Sequence, residues 1–273
     1  MSRARRVRWE LTLLAYLAAL VMFFPILWLF LTGLKSEGDA IAIPPKLLFT
    51  PTLESLREAL ARSDYARHFL NSVVSALGST ALALALAIPA AYSMAFYPTR
   101  RTKDTLLWVI STKMMPPVGV IIPVYLIFRD LRWLDNVWAL ALMYAVMNLP
   151  VVVWTLYAYF REIPHEIMEA ARVDGAGTSE ELTRVLLPVS GPAVASAALL
   201  SVILAWNEAF WSLNLTSAQA SPLSVYVASF KTAEGLFWAK MSAASMIAVL
   251  PVMIMGWLAQ RQLVRGLTFG AVK

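Results

Sequence analysis

Cysteine is absent from the 273 residues, which excludes disulfide bonds, a thiol nucleophile and a cysteine-based metal site. Histidine is scarce: His68 and His165 lie far apart, and neither has metal-ligand spacing to the other. Charged residues make up 15% of the chain, whereas a soluble globular domain carries about 25%. Together these deficits argue against a soluble enzyme.

Apolar residues are abundant and clustered. They make up 59% of the chain, and the mean hydropathy is +0.65. They fall in runs of about 20 residues, the length that a helix needs to cross the hydrocarbon core of a bilayer. We therefore predict an all-α, polytopic membrane protein with six transmembrane helices. The predicted spans are 11–33, 69–97, 105–128, 136–160, 191–213 and 241–260.

The first apolar run follows a basic start, as in a signal peptide. It is longer than the apolar region of a signal peptide, about 7–15 residues, and no small-residue cleavage site follows it. We therefore expect a retained span. The predicted division is a leader at 1–10, a first helix at 11–33, a periplasmic segment at 34–68, a five-helix core at 69–260 with a cytoplasmic loop at 161–190, and a tail at 261–273.

Lys and Arg indicate the orientation of these spans. They are more frequent on the amino-terminal side, most densely in the leader and at 100–103. Juxtamembrane cations of this kind mark the cytoplasmic side. We expect both termini and the loop at 161–190 to be cytoplasmic, and 217–240 to be external. The net charge of +6 thus relates to the membrane, and no basic patch interleaved with aromatics indicates a nucleic-acid partner.

The loop at 161–190 carries helix signals. Pro164 suits a first helical position, and Glu166 and Arg172 fall where the helix dipole favours an anion and a cation. Gly175 tolerates the positive φ of a helix stop. These signals predict a helix at about 164–174.

A second helix start is predicted directly after this stop, where Thr178 and Glu181 form a capping-box pattern. The helix at 164–174 would be roughly 16 Å long, too short to be stable alone in water. The residues leave two interpretations open. It is an ordinary loop helix on the membrane surface, or its small residues Ala170 and Ala171 let a partner's cleft approach the backbone.

Nine residues of this loop follow a known order and spacing. They are Glu169, Ala170, Ala171, Asp174, Gly175, Ala176, Val185, Leu187 and Pro188. This arrangement resembles the EAA motif of ABC importer permeases, with Val185 in place of the family's usual Ile. Phe69-x-Asn71-Ser72, the string at 205–208 and the Gly-Leu-Thr-x-Gly-Ala-Val-Lys ending are similar to the maltose-transporter G-subunit branch.

The resemblance implies a type I ABC importer transmembrane domain in a bacterial inner (plasma) membrane. It implies that the helix at 164–174 is the coupling helix and that the tail from Gly266 touches the same ATPase interface. The residues that it implies contact an ATPase subunit are Glu169, Ala170, Ala171, Asp174, Gly175, Ala176, Leu187 and Pro188. ATP and Mg would be bound by that partner and no cofactor by this chain, which lacks a G-x-x-x-x-G-K-[ST] loop.

Further partners follow from the same resemblance: a second, F-like permease, two ABC ATPase subunits, an extracytoplasmic solute-binding protein and the lipid bilayer. The expected solute is a sugar or sugar alcohol. The Ser-Thr-Lys-Met-Met-Pro-Pro string at 111–117 looks most like sorbitol/mannitol permeases. The loop at 217–240 resembles, in position, a segment that reaches into the binding protein, and an inert surface loop is the alternative.

Two charges lie inside predicted spans, Lys113 and Glu208. Such charges are costly and normally face a cavity, a partner or water. They either line the solute path or serve helix packing and, for Glu208, snorkelling. Because they differ in depth, we expect no direct ion pair between them.

Prolines predict breaks at Pro116-Pro117 in span three and at Pro150 in span four. Such breaks are tolerated only where protein or a watery cavity satisfies the freed backbone groups, so we expect a cavity between spans three, four and five. Candidate partners there for a polyhydroxylated solute are Asn148, Tyr144, Trp206 and Asn207. An interfacial aromatic belt is the alternative for the aromatic residues.

Two alternative functions, an ion-coupled carrier and a membrane enzyme, would need more buried ionisable residues than the predicted spans contain. An ion-coupled secondary carrier would need buried carboxylates and internal repeats, and only Glu208 qualifies. A membrane enzyme would need several His, Asp or Glu residues at one depth, and the sequence offers no such set.

Overall fold

The computed structural model describes residues 9–62, 65–232 and 235–268. Its helices are α1 (Trp9–Gly33), α2 (Glu37–Ala40), α3 (Glu54–Ala61), α4 (Tyr65–Phe96), α5 (Thr102–Ser111), α6 (Ile121–Asp130), α7 (Val137–Phe160), α8 (His165–Val173), α9 (Thr178–Glu180), α10 (Leu187–Val189), α11 (Gly191–Trp206), α12 (Phe210–Leu215), α13 (Leu223–Ala228) and α14 (Trp238–Thr268). Short 3-10 turns occupy Thr112–Met114 and Pro117–Gly119, and a π-helical turn occupies Glu181–Leu186. Strands β1 (Lys231–Thr232) and β2 (Gly235–Leu236) form an antiparallel hairpin.

The all-α polytopic class is confirmed. Within the described residues, α1, α4, α7 and the Trp238–Trp257 part of α14 are each long and apolar enough to cross a membrane. A fifth span forms if Thr178–Val189 and α11, which meet at a bend of 81°, are counted together. Span three is not one helix, because α5 and α6 are separate helices of 10 residues. Four of the six predicted spans are therefore continuous helices, and span three is a broken pair. The fifth span, predicted at 191–213, consists of α11 and α12 with a break at 207–209.

The break in span three follows from its prolines. Met115 and Pro116 both have extended backbone, with ψ of 125° and 126°, because a residue before proline is pushed out of the helical region. The second predicted break is wrong, since α7 runs without interruption through Pro150. A single proline removes one helical hydrogen bond, which neighbouring groups in a membrane protein can replace. Two adjacent prolines at 116–117 stop the helix.

The chain forms two compact units. The first comprises the described residues of 1–65 and 227–249. In it, a Cβ on Gly33 would lie 2.5 Å from the Met246 sulfur, so only glycine permits this close approach of α1 to α14. Lys35 is buried beside α1, where its ammonium donates to the Lys46 carbonyl at 2.7 Å. It also lies over the Trp28 ring, 4.6 Å from the centroid.

The second unit comprises 66–226 and the described residues of 250–273. Its core packs α4, α7 and α11 through small side chains. Ala83, Ala87, Ala91, Ala145 and Ala197 are all buried. Small residues let membrane helices approach closely, and polar side chains then bond between them. The Thr80 hydroxyl accordingly donates to the Ser201 hydroxyl at 3.0 Å, between α4 and α11.

An aspartate anchors a loop on the side of this unit where α6 ends and α7 begins. The Asp135 carboxylate accepts the backbone N–H groups of 217–220 at 2.9–3.1 Å. Burial raises the pKa of Asp135, but these backbone hydrogen bonds outweigh it and hold the pKa below its usual value. Nothing in the local sequence indicates this contact between segments 82–85 residues apart.

The same loop is held by α4. The Asn71 amide donates to the Gln219 carbonyl at 2.8 Å, and the Ser72 hydroxyl accepts the Leu223 N–H at 2.8 Å. Asn71 and Ser72, which carried part of the family resemblance, thus position the chain after α12.

Candidate functional site

The helix predicted at 164–174 is α8 (His165–Val173). Pro164 precedes it with extended backbone, and Gly175 ends it with φ of +87°. That φ is strained for any residue with a Cβ. The turn is closed by hydrogen bonds from the Ala176 N–H to the Ala171 carbonyl at 2.9 Å and from the Gly175 N–H to the Arg172 carbonyl at 3.0 Å.

One face of α8 is packed on the second unit. Met168 is fully buried and Ala171 is 7% exposed. Met168 lies in the same core as Phe160 and Leu186, and His165 meets the Phe96 ring edge-on at 5.4 Å. A helix this short is not stable alone, so this packing is what holds α8 in place.

The opposite face of α8 is open. Glu166, Glu169, Ala170 and Val173 are exposed, and their spacing of three and four residues puts them on one stripe. Val173 is 87% exposed. Of the two small residues expected to admit a partner, Ala170 is on this stripe, whereas Ala171 faces the core. The sequence analysis missed Val173, although its helical spacing from Glu169 and Ala170 was a usable signal.

The turn after α8 forms a hollow. Its volume is about 360 Å³, and its lining residues are Ala171, Asp174, Gly175, Ala176, Glu180, Arg184 and Val185. Leu187 is half-buried and Pro188 is exposed. The structure therefore brings Asp174, Gly175 and Ala176 together in an open concave surface next to the exposed stripe. Their contact with an ATPase stays a prediction.

The predicted capping box of Thr178 and Glu181 is wrong. The N-cap is Gly177, and the Glu180 carboxylate accepts the Gly177 N–H at 3.3 Å. Because α9 begins one residue earlier than expected, Glu181 is not at the capping position. It turns inward and is 2% exposed.

Glu181 accepts several hydrogen bonds in its buried position. Arg172 donates to it from Nε at 2.7 Å and from Nη2 at 3.2 Å. The Tyr92 hydroxyl donates at 2.5 Å and the Tyr97 hydroxyl at 3.2 Å. The Arg172 bond holds the pKa of Glu181 below its usual value, although burial opposes it.

A cavity of about 650 Å³ lies where span three is broken. Its walls come from 112–124, from α7 and from the junction of α11 and α12. Lys113 and Glu208 line it, among mostly apolar neighbours such as Met115, Val120, Met143 and Trp211. The cavity expected between spans three, four and five is therefore present.

Lys113 and Glu208 share this cavity without pairing. In the described part of the chain no ion pair joins them, as predicted. The Lys113 ammonium instead donates to the Met147 carbonyl of α7 at 3.0 Å. The Glu208 carboxylate accepts the Trp211 N–H at 2.9 Å, at the start of α12.

The other four candidate path residues are not among those that line the cavity. Tyr144 and Asn148 are fully buried. The Tyr144 hydroxyl donates to the Glu208 carbonyl at 3.3 Å, and the Asn148 amide donates to the Ser201 carbonyl at 3.4 Å. Trp206 packs edge-on against Phe69. Exposed Asn207 donates to a carbonyl of its own helix. Their place in a solute path stays a prediction.

Comparison with known proteins covers most of the chain. Residues 87–268 match the family described as binding-protein-dependent transport system inner membrane component. The trehalose/maltose transport system permease protein MalG of Thermococcus litoralis is 31% identical over 265 residues, 95% of this chain and 94% of that protein. The diacetylchitobiose uptake system permease protein DasC of Streptomyces coelicolor is 30% identical over 261 residues, 93% of this chain and 95% of that protein.

Two further likenesses agree with these. The sulfoquinovosyl glycerol transport system permease protein SmoH of Agrobacterium fabrum is 31% identical over 267 residues, 95% of this chain and 93% of that protein. A solved bacterial ABC transporter involved in the import of the acidic polysaccharide alginate matches with a TM-score of 0.74. It covers 96% of this chain and 98% of that one at 23% identity, which establishes the shared fold.

The family match spans more than half of the chain, the relatives span nearly all of it, and the solved structure shares its fold. The chain therefore belongs to the family of inner membrane components of binding-protein-dependent transport systems, as a multi-pass permease subunit that works with a partner permease, a separate ATPase and a solute-binding protein and is not itself an enzyme.

Proposed function

We propose that this chain is the permease subunit of an ATP-driven importer of sugars or sugar alcohols, coupled to its ATPase through α8. The observation that carries the proposal is the two-faced character of α8. One face, with Met168 and Ala171, is buried against the second unit, and the other, with Glu169, Ala170 and Val173, is left uncovered by the residues that the structure describes. A rigidly held helix with an open stripe suits a partner that must push on it.

The solute class is supported by the relatives and by the cavity. The relatives are named for trehalose/maltose, diacetylchitobiose and sulfoquinovosyl glycerol. The cavity of about 650 Å³ lies within the range of about 300–1,000 Å³ usual for small-molecule sites, and such sites combine apolar walls with a few polar groups. Lys113 and Glu208 are the charged groups that line it.

A polyol such as sorbitol or mannitol is the finer proposal. It rests on the string at 111–117, of which Thr112, Lys113, Met115 and Pro117 line the cavity. These residues lie at the break in span three. The position of these residues at the cavity supports the polyol proposal.

The mechanism that follows is alternating access. A pair of ABC ATPase subunits binds ATP and Mg on the cytoplasmic side, and its closure moves α8. That movement opens the cavity toward the outside, where an extracytoplasmic binding protein delivers the solute to this chain and its F-like permease partner. In this orientation both termini are cytoplasmic, and the segment with α13 and the β1–β2 hairpin faces the binding protein. Of the tail from Gly266, residues 269–273 lie outside the described residues.

The test is uptake by the complex of permeases, ATPase and binding protein in proteoliposomes. Glu169→Lys reverses a charge on the open stripe, and Gly175→Pro removes the positive φ that ends α8. We expect both to abolish ATP-driven uptake while the chain stays in the membrane. Glu162→Lys, an exposed carboxylate before α8, is the matched control and should retain uptake. Normal uptake in Glu169→Lys and Gly175→Pro would remove the docking proposal.

The solute is identified by thermal stabilisation of the purified binding protein across a panel of sugars and polyols. Stabilisation by sorbitol or mannitol and not by disaccharides supports the polyol, and the reverse pattern leaves the broader sugar class. Uptake that survives ATP depletion and follows a proton gradient would instead favour an ion-coupled carrier.

A further inference from the structure

Glu181 is unusual for its burial. Among the residues that the structure describes, it is the one Asp or Glu that is almost fully buried, at 2% exposed. A buried carboxylate is costly unless it is paired and hydrogen-bonded, and here both conditions are met. Arg172 forms a two-point hydrogen-bonded ion pair with it, with N–O distances of 2.7 and 3.2 Å. This pair is the centre of a cluster whose other members are Tyr92 and Tyr97.

The cluster joins three parts of the chain. Arg172 is in the last turn of α8, and Glu181 begins the π-helical turn that leads into α10 and α11. Tyr92 is in the final turns of α4, and Tyr97 directly follows α4. Both tyrosine hydroxyls donate to the Glu181 carboxylate. The Arg172 guanidinium also lies over the Tyr97 ring, 4.9 Å from its centroid.

The covalent chain gives α8 only two neighbours in the membrane. It is joined to α7 through 161–164 and to α11 through 174–190. The helix α4 is far away in sequence, and the hydrogen bonds from Tyr92 and Tyr97 to Glu181 span 89 and 84 residues. These bonds are charge-assisted, which makes them stronger than bonds between neutral groups. They give α4 a direct polar connection to the segment that moves with α8.

We propose that Glu181, held by Arg172, is a positioning residue that couples α8 to the end of α4, so that movement of the docking helix carries three membrane helices and not only the two joined to it by the backbone. This inference rests on the proposed docking role of α8. The π-helical turn at Glu181–Leu186 fits it, since such turns are frequent at functional sites. Removing the tyrosine bonds would leave α8 docked but would reduce its connection to α4 to apolar packing such as the His165–Phe96 ring contact, so that α4 would follow its movement less closely.

The test separates this link from the fold. Tyr92→Phe with Tyr97→Phe keeps both rings and the Arg172–Glu181 pair and removes only the two hydroxyls that join α4. The measurements are ATPase co-purification, ATP hydrolysis stimulated by the loaded binding protein, and solute imported per ATP hydrolysed, all in the full complex. Tyr125→Phe, on exposed α6, is the matched control.

We expect the double variant to retain the ATPase and its hydrolysis while solute imported per ATP falls about five-fold, the lower end of the coupling typical between linked sites. Glu181→Gln, with Glu162→Gln as its control, should lower the same ratio, because it removes the charge that both tyrosines bond. An unchanged ratio of solute imported to ATP hydrolysed in the tyrosine double variant would overturn the proposal. A parallel loss of hydrolysis and uptake would also overturn it, because that result is expected if the tyrosine bonds only stabilise the fold.

Failure of the proposed function would look different. In that case Glu169→Lys would leave ATP-driven uptake normal, or the chain would purify without an ATPase, whatever the tyrosine variants do.

Discussion

Arg172→Ala tests the electrostatics of the Glu181 cluster directly. The substitution removes the ion-pair partner of a carboxylate that is 2% exposed and leaves only the hydroxyls of Tyr92 and Tyr97 on it. Removing one partner of a fully buried pair costs about 3–5 kcal/mol. The Arg172 side chain is itself 39% exposed, so solvent screens part of the interaction, and about 2 kcal/mol is the reasonable expectation here.

The direction in which the stability loss of Arg172→Ala changes with pH follows from the pKa of Glu181. In the wild-type protein the pKa of Glu181 is lowered, first by the Arg172 bond. The ionised Glu181 carboxylate therefore stabilises the fold above the unfolded pKa of about 4.3, and this stabilisation is lost as the pH falls through the folded pKa. Without Arg172 the largest lowering cause is gone and burial opposes only the tyrosine hydrogen bonds, so we expect the pKa of Glu181 to rise relative to the wild type. The loss of unfolding free energy in the variant relative to the wild type should therefore be largest near neutral pH, and it should shrink as the pH falls toward the unfolded pKa.

The assay is thermal unfolding of the purified complex at several pH values. A loss of about 2 kcal/mol should appear as a lower Tm for the variant complex than for the wild-type complex at neutral pH. Arg172→Ala combined with Glu181→Gln should recover part of that loss, because no unpaired charge remains buried. The reasoning fails if Arg172→Ala is as stable as the wild type at neutral pH, or if the double variant is no more stable than Arg172→Ala.

Three further predictions concern other parts of the molecule. Val173→Glu should weaken ATPase co-purification, while the stability of the permease changes by less than about 0.5 kcal/mol, since Val173 is exposed; undiminished co-purification would place the interface elsewhere. Lys113→Met should alter the concentration dependence of uptake without loss of the ATPase, because Lys113, whose ammonium donates to the Met147 carbonyl, lines the cavity. Identical kinetics across a sugar panel would assign Lys113 to packing. Asp135→Ala should lower the free energy of unfolding by about 1–2 kcal/mol, as loss of a helix cap does, and should speed proteolysis at 217–220. Equal cleavage rates in the variant and the wild type would contradict the anchoring role.

Local signals predicted a good part of the candidate site. Pro164 and Gly175 set the start and end of α8 to within about one residue, because a fixed φ and a tolerated positive φ are properties of the residues themselves. The adjacent prolines at 116–117 likewise predicted the break that opens the cavity. The prediction at Pro150 was wrong because a helix held by packing on its neighbours survives one missing hydrogen bond. Those neighbours are distant in sequence.

By itself, the sequence determined that this is a polytopic helical membrane protein with a short helix between its fourth and fifth apolar runs, since these follow from the length of the runs and from local backbone preferences. Only the tertiary structure decided that Ala170 is exposed and Ala171 buried, and that Glu181 turns inward onto Arg172 and Tyr92. It also decided that Asn148 bonds to α11 and Tyr144 to the Glu208 carbonyl just after it. Each of those outcomes depends on packing or on a contact with another element, and a side chain's choice of face or partner there has no local signature.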